Sequence, residues 1–343
     1  MKRSINIDII KVLAVISVIA VHFFLNNEFY SIQFFDNKYY FFILIQNFFL
    51  MCVPLFIIAT GYLMESKVEF NAKYIKKLFT RIIIPYLLIG LICVLFNKYY
   101  LKVDMKLVPI IISFFDFTAA KYGWYVGMYI GLYLFIPFLN KGLNSLTKKE
   151  IFYLLIIFFI LGPLYSILKV RYENVSYPLV TSYYYGIWMF NYYIIGYYIK
   201  RFDIKLKLVW NLLLILLFPL LSLMNFYLNN KVNNHLFYSG EINYWGGIIP
   251  YVVSIVIFML IISRNIKGNK IFNKILSNIS NLTLYIYLLS YIFDQIVYKW
   301  FPTGICNNIY YYPVIVLIIF LFSYVSSLLL DGIIKLFYKI LRV

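Results

Sequence analysis

The sequence predicts an all-α fold, a polytopic transmembrane helix bundle with about ten spans, from three observations. Hydrophobic residues account for 64% of the 343 residues and charged residues for only 13%, which is far more apolar than a soluble globular domain. Several uniformly apolar runs are longer than core strands, and about 20 such residues in a helix cross the hydrocarbon layer of a bilayer. The basic residues cluster in alternate connections between these runs, which is typical of a multi-pass membrane protein.

Each apolar run is expected to be a helix, because only helices and closed barrels satisfy every backbone polar group inside a bilayer. The first run follows a basic start but lacks a small-residue cleavage site, so we expect it to remain as a transmembrane helix. No linker or fixed-period repeat divides the sequence, which favours one membrane domain over residues 1–343. The predicted spans are 5–26, 40–64, 82–99, 124–140, 151–168, 183–199, 208–228, 246–263, 282–299 and 313–334.

The Lys and Arg residues also predict the orientation of the chain. A net charge of +18 would suggest nucleic acid as the partner of a soluble protein, but here the cations flank membrane spans, so we expect the lipid bilayer and no nucleic acid as partner. With the N-terminus in the cytoplasm, most of the 31 basic residues fall on the cytoplasmic side, as the positive-inside rule requires. An even number of spans then predicts a multi-pass cell-membrane protein with both termini cytoplasmic.

Three ionisable residues lie within the first predicted span, where charged groups are costly and are candidates for function. Asp8 and Lys11 are three residues apart, so they share a helix face and can form an ion pair. His22 lies three turns beyond Lys11 on nearly the same face, about 16 Å further along the axis. The alternative for Asp8 and Lys11 is a snorkelling pair at the membrane interface.

His22 is the candidate catalytic residue of this span. The chain contains 2 histidines, and the other, His235, falls in a polar outer loop of the predicted topology. An imidazole titrates near neutrality, so it can take a proton from a hydroxyl group and return it to a leaving group. The alternative is a hydrogen-bonded histidine that only packs within the bundle.

A basic pattern precedes the core of the third predicted span. Lys73, Lys77 and Arg81 recur at every fourth position, which predicts a basic stripe along one face of a helix. Such a stripe can bind a phosphorylated ligand through charge-assisted hydrogen bonds. Alternatively, it can anchor the helix to anionic lipid headgroups.

The remaining composition predicts no further chemistry. Cys52, Cys93 and Cys306 are spaced too widely for a metal cluster, so we predict no metal site. The abundance of Lys, Ile, Asn, Phe and Tyr is typical of an AT-rich bacterial genome.

These patterns, in their order along the chain, resemble the integral membrane acyltransferases of the acyltransferase-3 type, which O-acylate sugars on the far side of the membrane. The first helix of that family has an Asp, a basic residue three positions later and, after ten more residues, an essential His; Asp8, Lys11 and His22 match this spacing. Further segments that resemble the family are Pro54–Leu63, Lys77–Tyr86, Trp124–Pro137, Asn191–Tyr197 and Leu284–Leu288.

The resemblance implies a donor substrate and roles for the first helix. It implies acetyl-CoA, or another short acyl-CoA, as the cytoplasmic donor, with no permanently bound cofactor. His22 would be the catalytic base or the transient acyl carrier, and the sequence leaves both open. Lys11 would orient the donor or stabilise developing negative charge, with Asp8 fixing Lys11.

The resemblance also implies where the two substrates bind. The basic stripe Lys73, Lys77 and Arg81 would hold the phosphates of the acyl-CoA. Tyr122, Trp124 and Tyr125, at the outer end of the fourth span, would form a platform for the saccharide acceptor, for which a plain aromatic belt is the alternative.

The chain departs from the family pattern at several positions. Lys11 replaces an Arg, which keeps the charge but loses the bidentate geometry. Leu78 replaces one of two arginines that are associated with acyl-CoA, so Lys77 would have to substitute. Tyr122 and Ser290 stand where histidines are frequent, which leaves acceptor selection open.

A transporter or flippase for a saccharide or a lipid-linked saccharide is the alternative function. Ten spans, charges within them and abundant aromatic residues would suit it as well. Transporters commonly have two related halves with interrupted helices at matching positions, whereas the prolines here are scattered and the titratable residues crowd into the first third of the chain. The sequence therefore favours the acyltransferase.

Overall fold

The protein is described by a computed structural model that covers residues 3–33, 36–172, 175–179, 183–232 and 242–341. The first half of the chain is helical, as the apolar runs predict. Its helices are α1 (Ile5–Leu25), α2 (Lys38–Phe49), α3 (Cys52–Met64), α4 (Ala72–Leu78), α5 (Ile84–Tyr99), α6 (Leu107–Phe115), α7 (Trp124–Ser145) and α8 (Lys148–Leu161).

The described part of the second half consists mainly of helices as well, with a short antiparallel hairpin between α8 and α9 that the all-α prediction does not include. The hairpin consists of β1 (Lys169–Tyr172) and β2 (Val175–Pro178), with Val170 opposite Tyr177. The helices are α9 (Trp188–Arg201), α10 (Leu208–Ile215), α11 (Leu217–Val232), α12 (Ile248–Ile262), α13 (Lys270–Asn281), α14 (Thr283–Val297), α15 (Ile305–Asn308) and α16 (Tyr312–Leu341).

Seven helical segments of the described chain are long and apolar enough to cross a membrane. The pair α13 and α14, whose axes are bent by 70° from each other, is an eighth candidate if the two helices form one span. The predicted spans 183–199 and 246–263 fall on α9 and α12, of 14 and 15 residues. These helices are shorter than the roughly 20 residues of a full span, so spans beyond eight stay a prediction. The seven segments are Ile5–Leu25, Lys38–Met64, Ala72–Tyr99, Trp124–Ser145, Lys148–Ser166, Leu208–Tyr227 and Ile305–Leu336.

The chain divides into two compact units. Unit 1 comprises Met1–Lys67 and Asn140–Leu276, and unit 2 comprises Val68–Leu139 and Ser277–Val343. Each unit draws on both halves of the sequence, so each depends on contacts between residues that are far apart along the chain.

Unit 1 contains a close contact between α3 and α9 through two glycines. A Cβ atom added to Gly61 would lie 2.0 Å from the Tyr193 carbonyl oxygen, and one added to Gly196 would lie 2.0 Å from the Ile58 carbonyl oxygen. Glycine at such positions lets two helix backbones approach closely inside a membrane. Because α1 packs against α3, this contact also supports the helix that carries His22.

Two polar side chains join the ends of α3, α7 and α9 within unit 1. Asn140 donates hydrogen bonds of 2.8 Å to carbonyl oxygens at and just beyond the end of α3, and accepts one of 2.9 Å from the Tyr193 hydroxyl. Arg201 donates to the carbonyl oxygens of Leu143 and Asn144 in the last turn of α7, at 2.6 and 3.1 Å. These bonds satisfy carbonyl groups that a helix end leaves without a partner in its own helix.

In unit 2, α4 continues through a π-helical turn, Phe79–Ile83, into α5. The start of α4 is fixed to α7 by two tyrosines. The Tyr74 and Tyr133 rings stack with their centroids 4.3 Å apart, and the Tyr74 hydroxyl donates to the Tyr133 carbonyl oxygen at 2.7 Å. The same unit contains α14, which packs against α16 and α5.

Candidate functional site

The helix α1 is the scaffold of the predicted catalytic residues, and it lies in unit 1 against α2, α3 and α12. Buried apolar residues occur along most of its length. Its first turn is held by Asn6, whose side-chain amide donates to the carbonyl oxygens of Ile261 and Arg264 at 2.8 and 2.7 Å. Asn6 therefore fixes the start of α1 to the end of α12.

Asp8 forms an ion pair with Arg3. The guanidinium donates from two nitrogens to both carboxylate oxygens, at 2.7 and 2.8 Å, and Asp8 is only 6% exposed. A bidentate, charge-assisted pair of this kind offsets the cost of burying the carboxylate. Lys11 lies one turn further along α1 and is half-buried; its pairing with Asp8 stays a prediction.

His22 lies in the last turn of α1 and is half-buried, with its Nδ1 atom shielded from solvent. Its carbonyl oxygen accepts hydrogen bonds from the backbone N–H and the side-chain amide of Asn26, at 3.0 and 2.8 Å. The buried side chain of Asn27 donates to the Phe23 carbonyl oxygen at 2.7 Å. Two asparagine side chains thus satisfy carbonyl oxygens in the last turn of α1 and fix the backbone that carries His22.

The three predicted donor-binding residues lie in unit 2 and are all exposed. Lys73 and Lys77 belong to α4, and Arg81 lies in the π-helical turn that follows it. Between them Leu78 is buried, with 3% of its side chain exposed, so it belongs to the packed side of this segment. A π-turn interrupts the regular α-helical spacing and is frequent at functional sites.

The predicted acceptor platform also lies in unit 2, at the start of α7, and its members differ in exposure. Trp124 is 40% exposed and Tyr125 is half-buried, with their rings edge to face and centroids 6.1 Å apart. Tyr122 is only 5% exposed, and its hydroxyl donates to Asp294 at 2.6 Å. Trp124 is therefore the most accessible ring of the three.

Two residues of this arrangement were missed by sequence reasoning. Arg3 precedes the first turn of α1, so the helical spacing rule that pairs Asp8 with Lys11 does not reach it. Asp294 lies inside the predicted span 282–299. An acidic residue within a span is a candidate for function, so the sequence contained a signal that could have identified Asp294. Its partner Tyr122 is far away in the sequence, so the pair could not be predicted from spacing.

No group of three or more His, Cys, Asp or Glu side chains that could hold a metal ion occurs among the described residues. His235, the second histidine, lies outside the described part of the chain. Cys52 and Cys93 are buried thiols, and Cys306 is exposed.

A family model of the acyltransferase 3 type, described as an acyltransferase domain, matches residues 4–328. No curated protein matches the chain, and no solved structure matches it. The family match includes both units and all of the predicted site residues.

Proposed function

The chain belongs to the acyltransferase 3 family and is an acyltransferase, and we propose that it moves an acetyl or other short acyl group from cytoplasmic acyl-CoA to a hydroxyl group of a cell-envelope or extracellular saccharide. The observation that carries this proposal is the layout of α1. A single membrane-spanning helix holds an anchored carboxylate and a lysine in its first two turns and a half-buried imidazole in its last. Donor and acceptor can then approach that helix from opposite sides of the membrane.

The proposed orientation places both termini in the cytoplasm and the His22 end of α1 near the outer leaflet. It rests on the excess of Lys and Arg in the cytoplasmic connections. Lys11 and His22 are about 16 Å apart along the helix axis, a separation that the pantetheine arm of CoA can bridge. The thioester would then reach His22 while the nucleotide part of the donor stays at the cytoplasmic surface.

In the reaction, the acceptor oxygen attacks the thioester carbonyl carbon, the carbon–sulfur bond breaks, and the hydroxyl proton ends on the CoA thiol. As general base, His22 takes that proton from the hydroxyl and returns it to the leaving thiolate. As acyl carrier, its ring nitrogen first displaces CoA and is then deacylated by the hydroxyl. Lys11 would orient the donor or stabilise developing negative charge, and Asp8, held by Arg3, would order the backbone beside Lys11.

For the donor, we propose that Lys73, Lys77 and Arg81 bind the phosphate groups of acyl-CoA. All three side chains are exposed, so they can reach a ligand from the aqueous side. Tyr74, buried between them, fixes the segment to α7 through its stacking on Tyr133. The cations are therefore presented by a rigid segment, which lowers the entropic cost of binding.

For the acceptor, we propose that Trp124 and Tyr125 contact the saccharide. Aromatic rings offer a large apolar surface with a polar edge and suit amphipathic ligands such as sugars. Trp124 has the exposure that such a contact needs. The same residues could instead belong to an aromatic belt at the membrane interface. Substitution of Trp124 or Tyr125 distinguishes the two roles, because it changes the KM for the acceptor only if these rings contact the saccharide.

The transporter alternative is less well supported than the enzyme. Family membership favours acyl transfer over transport. If the protein moved a saccharide without modifying it, acyl-CoA would not be consumed.

The test of the proposed function is acyl transfer by the purified protein in liposomes. Radiolabelled acetyl-CoA is supplied together with oligosaccharides released from the source cell envelope, and both free CoA thiol and label on the saccharide are measured. The proposal expects label on the saccharide in equal amount to the thiol released. If acetyl-, propionyl- and succinyl-CoA are all left unconsumed, the proposed reaction is wrong.

In the same assay, replacing Lys73, Lys77 and Arg81 together with Gln is expected to raise the KM for acetyl-CoA by at least about tenfold, because several charge-assisted hydrogen bonds to phosphate are lost. The matched measurement uses acetyl-pantetheine, which carries the thioester but no nucleotide phosphates. Its turnover should not change. If turnover falls equally with acetyl-CoA and with acetyl-pantetheine, these cations serve membrane anchoring or folding instead.

Membrane orientation can be tested with the exposed thiol of the natural chain. Cys306 is exposed and lies in the connection before α16, whereas Cys52 and Cys93 are buried. In the proposed topology this connection is extracytoplasmic, so a membrane-impermeant maleimide should label intact spheroplasts. A Cys306→Ser variant is the control. Labelling of Cys306 only after permeabilisation would reverse the orientation.

A further inference from the structure

A buried carboxylate in α14 holds the residue that precedes the proposed acceptor platform. Asp294 is 0% exposed, and its Oδ2 atom accepts a hydrogen bond of 2.6 Å from the Tyr122 hydroxyl. A carboxylate inside a membrane-spanning segment is costly unless its partners compensate it. At 2.6 Å this hydrogen bond is at the short end of the range for O–H···O bonds, so the contact is a local anchor for Tyr122.

Three side chains that contact Tyr122 come from one face of α14. Tyr287, Tyr291 and Asp294 are spaced by four and three residues, which places them on one side of a helix. The Tyr287 hydroxyl donates to the Tyr122 carbonyl oxygen. The Tyr291 ring meets the Tyr122 ring edge to face, with centroids 5.8 Å apart, and its hydroxyl donates to Asn97 of α5 at 2.9 Å. Tyr122 is therefore held by its hydroxyl, its ring and its backbone.

Tyr122 lies two residues before Trp124, so fixing it also fixes the start of α7. The Tyr125 ring packs edge to face against Tyr287, with centroids 6.0 Å apart, and the Trp124 ring packs against Tyr125. The ring of Tyr122 itself is buried and its hydroxyl is engaged by Asp294. Contact with a ligand therefore falls to Trp124 and Tyr125, and their placement depends on Tyr122.

We propose that Asp294 is a positioning residue for the saccharide acceptor: through the Tyr122 hydroxyl it fixes the start of α7 and thereby the rings of Trp124 and Tyr125. This inference rests on the proposed function, since it deepens the assignment of the acceptor platform. The ligand class is a saccharide that stacks on these rings. The family pattern does not require the pair, because Tyr122 stands where a histidine is frequent.

The kinetic test compares Asp294→Asn, Tyr122→Phe and the double variant. Tyr122→Phe removes the hydrogen bond and should raise the KM for the envelope oligosaccharides by about tenfold, the loss expected for one buried hydrogen bond. Asp294→Asn keeps an oxygen that can accept this bond, so it should raise the KM by less. The double variant should resemble Tyr122→Phe, because without the Tyr122 hydroxyl, residue 294 has no hydrogen bond to accept from this side chain. The KM for acetyl-CoA and the acceptor-free hydrolysis of acetyl-CoA should not change. The matched controls are Asp331→Asn, a half-buried acid that pairs with the exposed Lys335, and Tyr310→Phe, 85% exposed.

A second readout is independent of activity. The protein is labelled with fluorotryptophan, the Trp124 signal is assigned by Trp124→Phe, and its fluorine NMR resonance is recorded in each variant. Asp294→Asn and Tyr122→Phe should move or broaden this resonance and leave those of Trp188 and Trp245, in unit 1, in place. An unmoved Trp124 signal overturns the proposal even if no acceptor is ever turned over. If the Trp124 signal moves but the acceptor KM is unchanged, Asp294 is not a positioning residue for the acceptor. The same conclusion follows if acceptor-free hydrolysis falls together with acyl transfer to the acceptor. In both cases the proposed acyl transfer still stands.

Discussion

Replacement of His22 with Ala is expected to lower acyl transfer by on the order of 10²- to 10⁴-fold, the contribution that a positioned acid–base residue typically makes. The imidazole is the only group of its kind in α1, and the backbone around it is fixed by Asn26 and Asn27. Loss of the side chain therefore removes the proton carrier without an obvious effect on the fold. The measurement is turnover of radiolabelled acetyl-CoA in liposomes with envelope oligosaccharides as acceptor.

Three controls make the His22 result specific. His235→Ala removes the chain's other histidine by the same substitution and should keep its activity. His22→Ala should retain the melting temperature of the natural protein, and added imidazole should restore part of its turnover. If His22→Ala transfers acyl groups at the natural rate, His22 is a packing residue and the proposed mechanism is wrong.

The natural protein, with His22→Ala as the control, can separate the two mechanisms left open for His22. With acetyl-CoA and no acceptor, an acyl carrier accumulates one acyl group on the peptide that contains His22, which mass spectrometry detects. A general base accumulates none, because it only moves the proton of a hydroxyl group.

Replacement of Gly61 or Gly196 with Ala is expected to have the largest effect on stability. The new Cβ atom would lie 2.0 Å from a backbone carbonyl oxygen of the facing helix in either case, and a backbone cannot move aside as a flexible side chain can. Overpacking of a well-packed interface typically lowers the free energy of unfolding by about 1–3 kcal/mol. We expect a clash with a backbone atom to cost at least the upper value of this range. We expect a lower melting temperature in detergent and a smaller yield of folded protein for each variant.

Gly142→Ala is the matched control for the glycine variants. Gly142 also lies in a helix of unit 1, but an added Cβ meets nothing within 4 Å. Since Ala favours a helix interior over Gly by about 1 kcal/mol, this variant should be as stable as the natural protein or slightly more so. If Gly61→Ala and Gly142→Ala melt at the same temperature, α3 and α9 are not in the close contact described above.

Much of the membrane architecture follows from the sequence alone, because apolarity and helix length are local properties. The runs that became α1 and α7 are long enough by themselves to require a bilayer. Shorter runs were harder to judge: 246–263 reads as a span, yet α12 contains only 15 residues. Its ends are decided by contacts such as that of Asn6 with the Arg264 carbonyl oxygen, which no hydropathy window includes.

For the candidate site, too, some features follow from the sequence alone and others only from the tertiary structure. The spacing of Asp8, Lys11 and His22 on one helix was available from the sequence, and the roles of these residues stay a prediction. The resemblance of the chain to the acyltransferase 3 family is confirmed by a match over residues 4–328. That the chain is a helical membrane acyltransferase could thus be determined from the sequence by itself, because helical period and ordered motifs are properties of the chain.

Only the tertiary structure decided which residues meet. It pairs Asp8 with Arg3, brings Gly61 against the Tyr193 backbone, and places the Tyr122 hydroxyl on Asp294. The contact of Asp8 with Arg3 depends on the course of the backbone before α1, which helical spacing does not describe. The other two contacts depend on how helices distant in sequence pack, and packing is set by the shape of whole helix surfaces rather than by the spacing of residues along one of them.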